Sequence, residues 1–203
     1  MQTLSVLSWF VPCAGLILAG CAPKPEGLTA YIPNGAVAVA YVDLDRARTM
    51  PIYERLPVPE DLKDASAVLA VFDGKDWGTA VQRKSGITTS GIAARQNGGK
   101  DLLAHAPVDS PAWLVTRGSV TLPLPGNLIN INRLLHQSEY TAVSAQGDEI
   151  EAKAECRTGE AARHLEENIR ALASLARFDG IDVTSNGSTV RVRAKIPATA
   201  KFP

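Results

Sequence analysis

The chain has 203 residues, with 21 Lys+Arg balanced by 21 Asp+Glu and a hydrophobic fraction of 45%. Zero formal charge removes the electrostatic footprint of a nucleic-acid-binding protein, and no nucleic-acid partner is expected. The length is ample for a buried core, and an aromatic content of only 5% points to one built from small, closely packed side chains.

The first elements in chain order concern address rather than fold. Residues 1–20 carry no charged side chain, and an apolar stretch runs from Leu4 to Ala19, interrupted by Pro12. A spanning helix wants about 20 apolar residues. The apolar segment of an export signal wants about 7–15, and the shorter class fits better. The stretch ends in Leu18-Ala19-Gly20-Cys21. This resembles the lipobox of bacterial lipoproteins at each of its four positions. The resemblance implies cleavage between Gly20 and Cys21 and diacylglycerol on the Cys21 thiol. It also implies a mature chain anchored outside the cytoplasm. In a cell with two membranes, Ala22 after the lipid cysteine implies the periplasmic face of the outer membrane. One feature departs from the pattern: no Lys or Arg precedes the apolar stretch. An uncleaved N-terminal anchor and an ordinary signal with a coincidental cysteine are the alternatives. The Pro23 and Pro25 segment reads as a tether over residues 21–30.

With Cys13 in the signal and Cys21 lipidated, Cys156 is left alone and no intramolecular disulfide is expected. It continues the alternation of Ile150, Ala152 and Ala154, so it reads as a small buried hydrophobe.

The first α+β unit, residues 31–121, opens with the apolar run Ala36–Val42, a buried strand. Asp43 or Asp45 is placed to cap a short helix between Arg46 and Leu56, broken near Pro51. Ser66–Phe72 and Trp77–Arg83 form a hairpin about Asp73-Gly74. Gly86–Ser90 fits a short strand, Ile92–Ala94 a helix start, and Asp101 the cap of a short helix to His105. Ala112–Thr116 is a further strand, and Leu122–Gly126 reads as a hinge.

The second unit, residues 126–203, starts with a helix capped by Asn127 that presents Leu128, Ile131 and Leu135. Tyr140–Ala145 and Glu149–Arg157 form a hairpin. Thr158 caps a helix whose buried face is Leu165, Ile169, Leu172 and Ala176. Glu166 and Arg170 form a pair on its wet side. Ile181–Ser185 and Thr189–Ile196 close on Asn186-Gly187. Each unit thus reads strand, helix, strand, strand, with 36–83 matched to 149–196. The predicted class is α+β, a mostly antiparallel sheet with helices on one face. A ferredoxin-like version is the leading specific arrangement, and one continuous sheet is the alternative.

Two strands carry alternating charge. Glu149, Glu151, Lys153 and Glu155 point one way on the first, and Arg191, Arg193 and Lys195 on the second. Side by side they would form a cross-strand ladder. Exposed, they would also make an interaction surface for another envelope protein.

No catalytic pattern emerges. His105, His136 and His164 are scattered, no phosphate loop or Gly-x-Ser-x-Gly elbow occurs, and no cofactor or metal is called for. Trp77 and Trp113 read as core or edge packing. The expected function is that of a membrane-tethered, non-enzymatic module that binds protein. The alternative is a small-ligand sensor or carrier with a cleft between the units.

Overall fold

The computed structural model describes residues 26–49, 53, 58–92, 94–123, 129–175 and 180–195. Gly20 and Cys21 therefore lie outside the described residues, as do Asn127, Leu128 and Ala176. The described strands are β1 (Ala38–Asp43), β2 (Ala65–Phe72), β3 (Trp77–Arg83), β4 (Gly86–Ser90), β5 (Ala112–Arg117), β6 (Tyr140–Gln146), β7 (Glu149–Glu155), β8 (Ile181–Asn186) and β9 (Thr189–Lys195). The helices are α1 (Glu26–Thr29), α2 (Leu44–Ala47), α3 (Lys100–His105), α4 (Ile129–Leu135) and α5 (Gly159–Leu175).

All nine strands join one sheet in the order β4-β3-β2-β1-β5-β6-β7-β9-β8, and each neighbouring pair is antiparallel. The architecture is α+β, rich in strand, and the sheet is continuous through β5 and β6. Small residues make this possible. β1 is buried along its whole length, with Ala38, Ala40 and Val42 on one face and Val39 and Tyr41 on the other. Such a two-sided apolar run needs cover on both sides.

That requirement overturns the expectation of helices on one face. On face A, with Val42, Val68, Ala112 and Ala145, lie Leu44 and Ala47 of α2. Leu135 of α4 packs there with Ala38 and Phe72. Ala162 and Leu165 of α5 cover Ala154, Val183 and Val190. On face B, Leu28 of α1 and Leu102 of α3 cover Val39, Tyr41, Leu69, Trp113 and Val115. The middle of the sheet is thus sandwiched. Helices as short as α1 and α3 carry too few residues for an apolar stripe to assign their side in advance.

The two units share an element order but not a topology. β1-α2-β2-β3 is a meander, whereas β9 lies between β7 and β8. The latter is the split β-α-β unit from which ferredoxin-like folds are built, and the first unit lacks it. The better structural match to β1-α2-β2-β3 is β5-α4-β6-β7. β1 and β5 pair at the centre of the sheet, Ala38 opposite Thr116 and Val42 opposite Ala112. Ala38 and Ala112 therefore hold equivalent places about a local two-fold normal to the sheet. Each half then runs outward by helix and hairpin, and both helices lie on face A.

Several local expectations hold. Thr158 Oγ1 accepts from Ala161 N at 3.1 Å, capping α5. Asp43 Oδ1 accepts from Arg46 N at 3.1 Å and caps α2. Others are corrected. Ile92 is buried in a loop rather than opening a helix. Asp101 sits inside the first turn of α3, and the cap position belongs to Gly99, whose φ is +63°. Of the expected hinge, Leu124, Pro125 and Gly126 lie outside the described residues, and Leu122 is clamped. Its N–H donates to Asn132 Oδ1 and its carbonyl accepts from Asn132 Nδ2, both at 2.9 Å. That bond pair turns α4 so that Asn132 and Leu135 face inward while Ile131 is exposed.

Candidate functional site

The charged residues expected to form a ladder are brought together. β7 and β9 are neighbours, and the register sets Glu149 opposite Lys195, Glu151 opposite Arg193, Lys153 opposite Arg191 and Glu155 opposite Thr189. These side chains point to face B. No described helix covers face B across β7, β9 and β8, so the charges form an open platform.

Glu151 is its centre. Its carboxylate takes Arg193 Nε at 2.9 Å on one oxygen and Arg191 Nε at 3.1 Å on the other. Register alone would set Lys153 against Arg191, a like-charge pair. Lys153 turns along its own strand instead and donates to Glu155 Oε1 at 2.7 Å. Strand β8 adds Asp182 opposite Arg193 and Thr184 opposite Arg191. Pairs at this exposure contribute roughly 0.2–1 kcal/mol each. Reversing both Arg191 and Arg193 to Glu is expected to lower the melting temperature modestly, because Glu151 loses both partners and faces like charge. Unchanged melting would show that the ladder adds nothing to stability.

At one corner the platform meets the covered half of face B. His105, at the end of α3, stacks on Tyr140 with ring centres 3.9 Å apart. Its Nδ1 lies 2.9 Å from Glu155 Oε2. Burial alone would raise the Glu155 carboxyl, but hydrogen bonds from Lys153 and His105 outweigh it and hold the group below the usual glutamate range. A depressed carboxyl contributes stability that is present above the unfolded value and lost as pH falls through the folded one. Glu155→Gln should therefore cost about 0.5–1 kcal/mol near neutrality. The gap from wild type should close below the ordinary glutamate value of 4.5. Denaturant melts across pH check this, and a gap that widened in acid would refute it.

The other sequence candidates do not join this site. Among the described residues, no three or more His, Cys, Asp or Glu side chains are grouped to hold a metal ion. His136 contacts Thr121 at 3.3 Å, and His164 lies beside Glu160 and Glu167 on α5. Cys156 is buried and free, and burial followed by the nearby Glu139 raises its thiol pKa. Trp77 and Trp113 serve packing. Trp113 stacks on Tyr41 with ring centres 5.7 Å apart, and Trp77 lies tilted against Phe72 at 5.1 Å.

Sequence reasoning missed a buried polar pair at the end of β1. Asp43 is 3% exposed, and its Oδ2 has no hydrogen-bond partner among the described residues. Burial pushes its carboxyl upward, and burial followed by Asp43 pushes the Tyr41 hydroxyl well above its ordinary range. The signal available beforehand was an aspartate closing a wholly apolar run, a residue type that is seldom buried without a partner.

No helix among the described residues is long and apolar enough to cross a membrane. Comparison with known proteins finds no matching family model, no similar curated protein and no similar solved structure.

Proposed function

We propose that this chain is an envelope lipoprotein, tethered to a membrane by lipid on Cys21, whose domain binds another envelope protein through the charged platform of face B. The address comes from Leu18-Ala19-Gly20-Cys21 at the end of an uncharged apolar stretch. In a cell with two membranes, Ala22 favours the periplasmic face of the outer membrane. The role of the platform is carried by one observation: among the described residues no helix covers β7, β9 and β8 on the face bearing Glu149, Glu151, Glu155, Arg191, Arg193 and Lys195, while α5 covers the same strands on the other side. Alternating acidic and basic stripes give a partner a charge pattern to match, which favours specificity over raw affinity.

The test has two parts. Mass spectrometry of the membrane fraction should find the mature N-terminal peptide beginning at Cys21 with acyl mass, and Cys21→Ala should lose it. A retained Met1 or an unmodified peptide would overturn the address. Cross-linking in intact cells from sites flanking β9 should then capture a defined envelope protein, and the Arg191→Glu, Arg193→Glu double variant should lose it. Capture unaffected by the double variant would remove the platform from the binding surface.

A further inference from the structure

The tether is short, and where it meets the domain is informative. From Cys21 to Glu26 the chain advances five residues, which span at most about 18 Å when fully extended. Glu26 opens α1, and Leu28 and Ile32 just after it are fully buried against face B. The start of the domain is therefore pinned to the layer over β1–β3. It has no freedom to swing to the other end of a sheet about 40 Å wide at the usual strand spacing.

That layer has a distinctive outer surface. The segment 94–98 is bonded to the segment after α1: Gln96 N and Asn97 N donate to Ala30 O at 2.9 and 3.0 Å, and Gly98 N donates to Ile32 O at 2.8 Å. Gly98 and Gly99 allow this close approach. A Cβ at Gly98 would stand 2.4 Å from the Pro33 carbonyl carbon, and one at Gly99 2.4 Å from the Ile32 side chain. The result holds Arg95 over the Tyr31 ring at 5.3 Å, beside exposed Gln96, Asn97 and Lys100. Asp101, next to Lys100 in the chain, is taken up by Arg117. The surface next to the tether thus carries two cations and a half-buried tyrosine. Tyr and Arg are the side chains that suit a headgroup layer, apolar in body and polar at the tip.

We propose that the surface formed by Tyr31, Arg95, Gln96, Asn97 and Lys100 rests on the phospholipid headgroups of the anchoring bilayer, holding the domain in a fixed orientation. This rests on the lipid anchor proposed for Cys21. The cations meet the anionic headgroups within a Debye length, about 8 Å at physiological salt. The charged platform lies on the same face but toward the far end of the sheet, where the layer of α1 and α3 stops.

Amide hydrogen exchange on the full mature chain tests this. The protein is purified from membranes, its Cys21 acyl mass is verified, and it is placed in nanodiscs of phosphatidylethanolamine and phosphatidylglycerol. Peptides covering 27–35 and 94–101 should exchange on the order of tenfold more slowly than in the same chain released by cleavage of the tether. Peptides covering 181–195 should be unchanged. The Arg95→Glu, Lys100→Glu double variant should remain acylated and disc-bound but lose the protection. Equal exchange on and off the disc, or protection at 181–195 instead, would overturn the orientation while leaving the anchor standing. Protection that survives the double variant, or that rises with copies per disc, would overturn the headgroups as the occupant, the latter in favour of a second copy. A peptide without acyl mass would overturn the anchor and this inference together.

Discussion

Gly118→Ala is expected to lower stability by about 3 kcal/mol, or to prevent folding, because backbone already occupies the space its methyl would need. A Cβ at Gly118 would lie 1.7 Å from Ser138 O and 2.5 Å from Leu135 O. Neither is a side-chain tip that could swing away. Both carbonyls belong to the turn that ends α4 and leads into β6. Ser138 N donates to Leu135 O at 3.0 Å, and Ser138 Oγ donates to the same oxygen at 2.8 Å. Gly118 N itself donates to Glu139 O at 2.8 Å, which draws the end of β5 against the turn. The substitution must push apart two central strands or break those bonds. A loss of about 3 kcal/mol in a chain of this size corresponds to roughly 6–12 °C in Tm. Gly35→Ala is the control, since a Cβ there meets nothing within 4 Å. Thermal melts of both variants check the prediction. Gly118→Ala melting with wild type would mean that the turn and the strand are not in contact.

Leu165→Ala should cost about 2–5 kcal/mol, while Leu172→Ala, on the same helix, should change stability by less than about 0.5 kcal/mol. Both leucines fall on the apolar face expected from the spacing of α5. Leu165 is 1% exposed and packs among Ala154, Cys156, Ala162, Val183 and Val190. Leu172 is 44% exposed. The difference is one of length. A helix of 17 residues spans about 25 Å. The six-residue strand β8 on which it lies spans about 20 Å, so about one turn of α5 overhangs, the turn that begins at Leu172. The helix is held nearer its middle, where Arg170 donates to Glu166 Oε1 at 2.8 Å and also to Val183 O, and Ser185 donates to Glu166 Oε2. The pair expected on the wet side is therefore a clasp between helix and strand. Chemical denaturation of the two leucine variants decides the matter, and equal losses would contradict the overhang.

Where local chemistry is sufficient, the structure follows from residues alone. Asp73 accepts from Lys75 N and Asp76 N, both at 2.8 Å, and turns β2 into β3. Gly187, at φ +58°, closes β8 on β9 after Asn186. The alternation of Glu149, Glu151, Lys153 and Glu155 settles that these side chains share a face, because the strand period is two. None of these features needs a distant partner. The same holds for the four residues at 18–21, whose meaning lies in their order.

What alternation does not contain is the identity of the neighbouring strand. Glu151 could be read as outward-facing, but its service to both Arg191 and Arg193 depends on β9 lying between β7 and β8. The side taken by α1 and α3 depends on β1 being buried on both faces, and the turn of α4 on Asn132 binding Leu122 across ten residues. Gly118 looks like an ordinary loop glycine until Ser138 arrives beside it. Hairpins, caps and charge alternation are set by the short-range sterics and hydrogen bonding of adjacent residues, and so they belong to the sequence. Strand order, the covered face and the joining of charges into a platform are set by the burial of apolar area over the whole chain, and only the tertiary structure decides them.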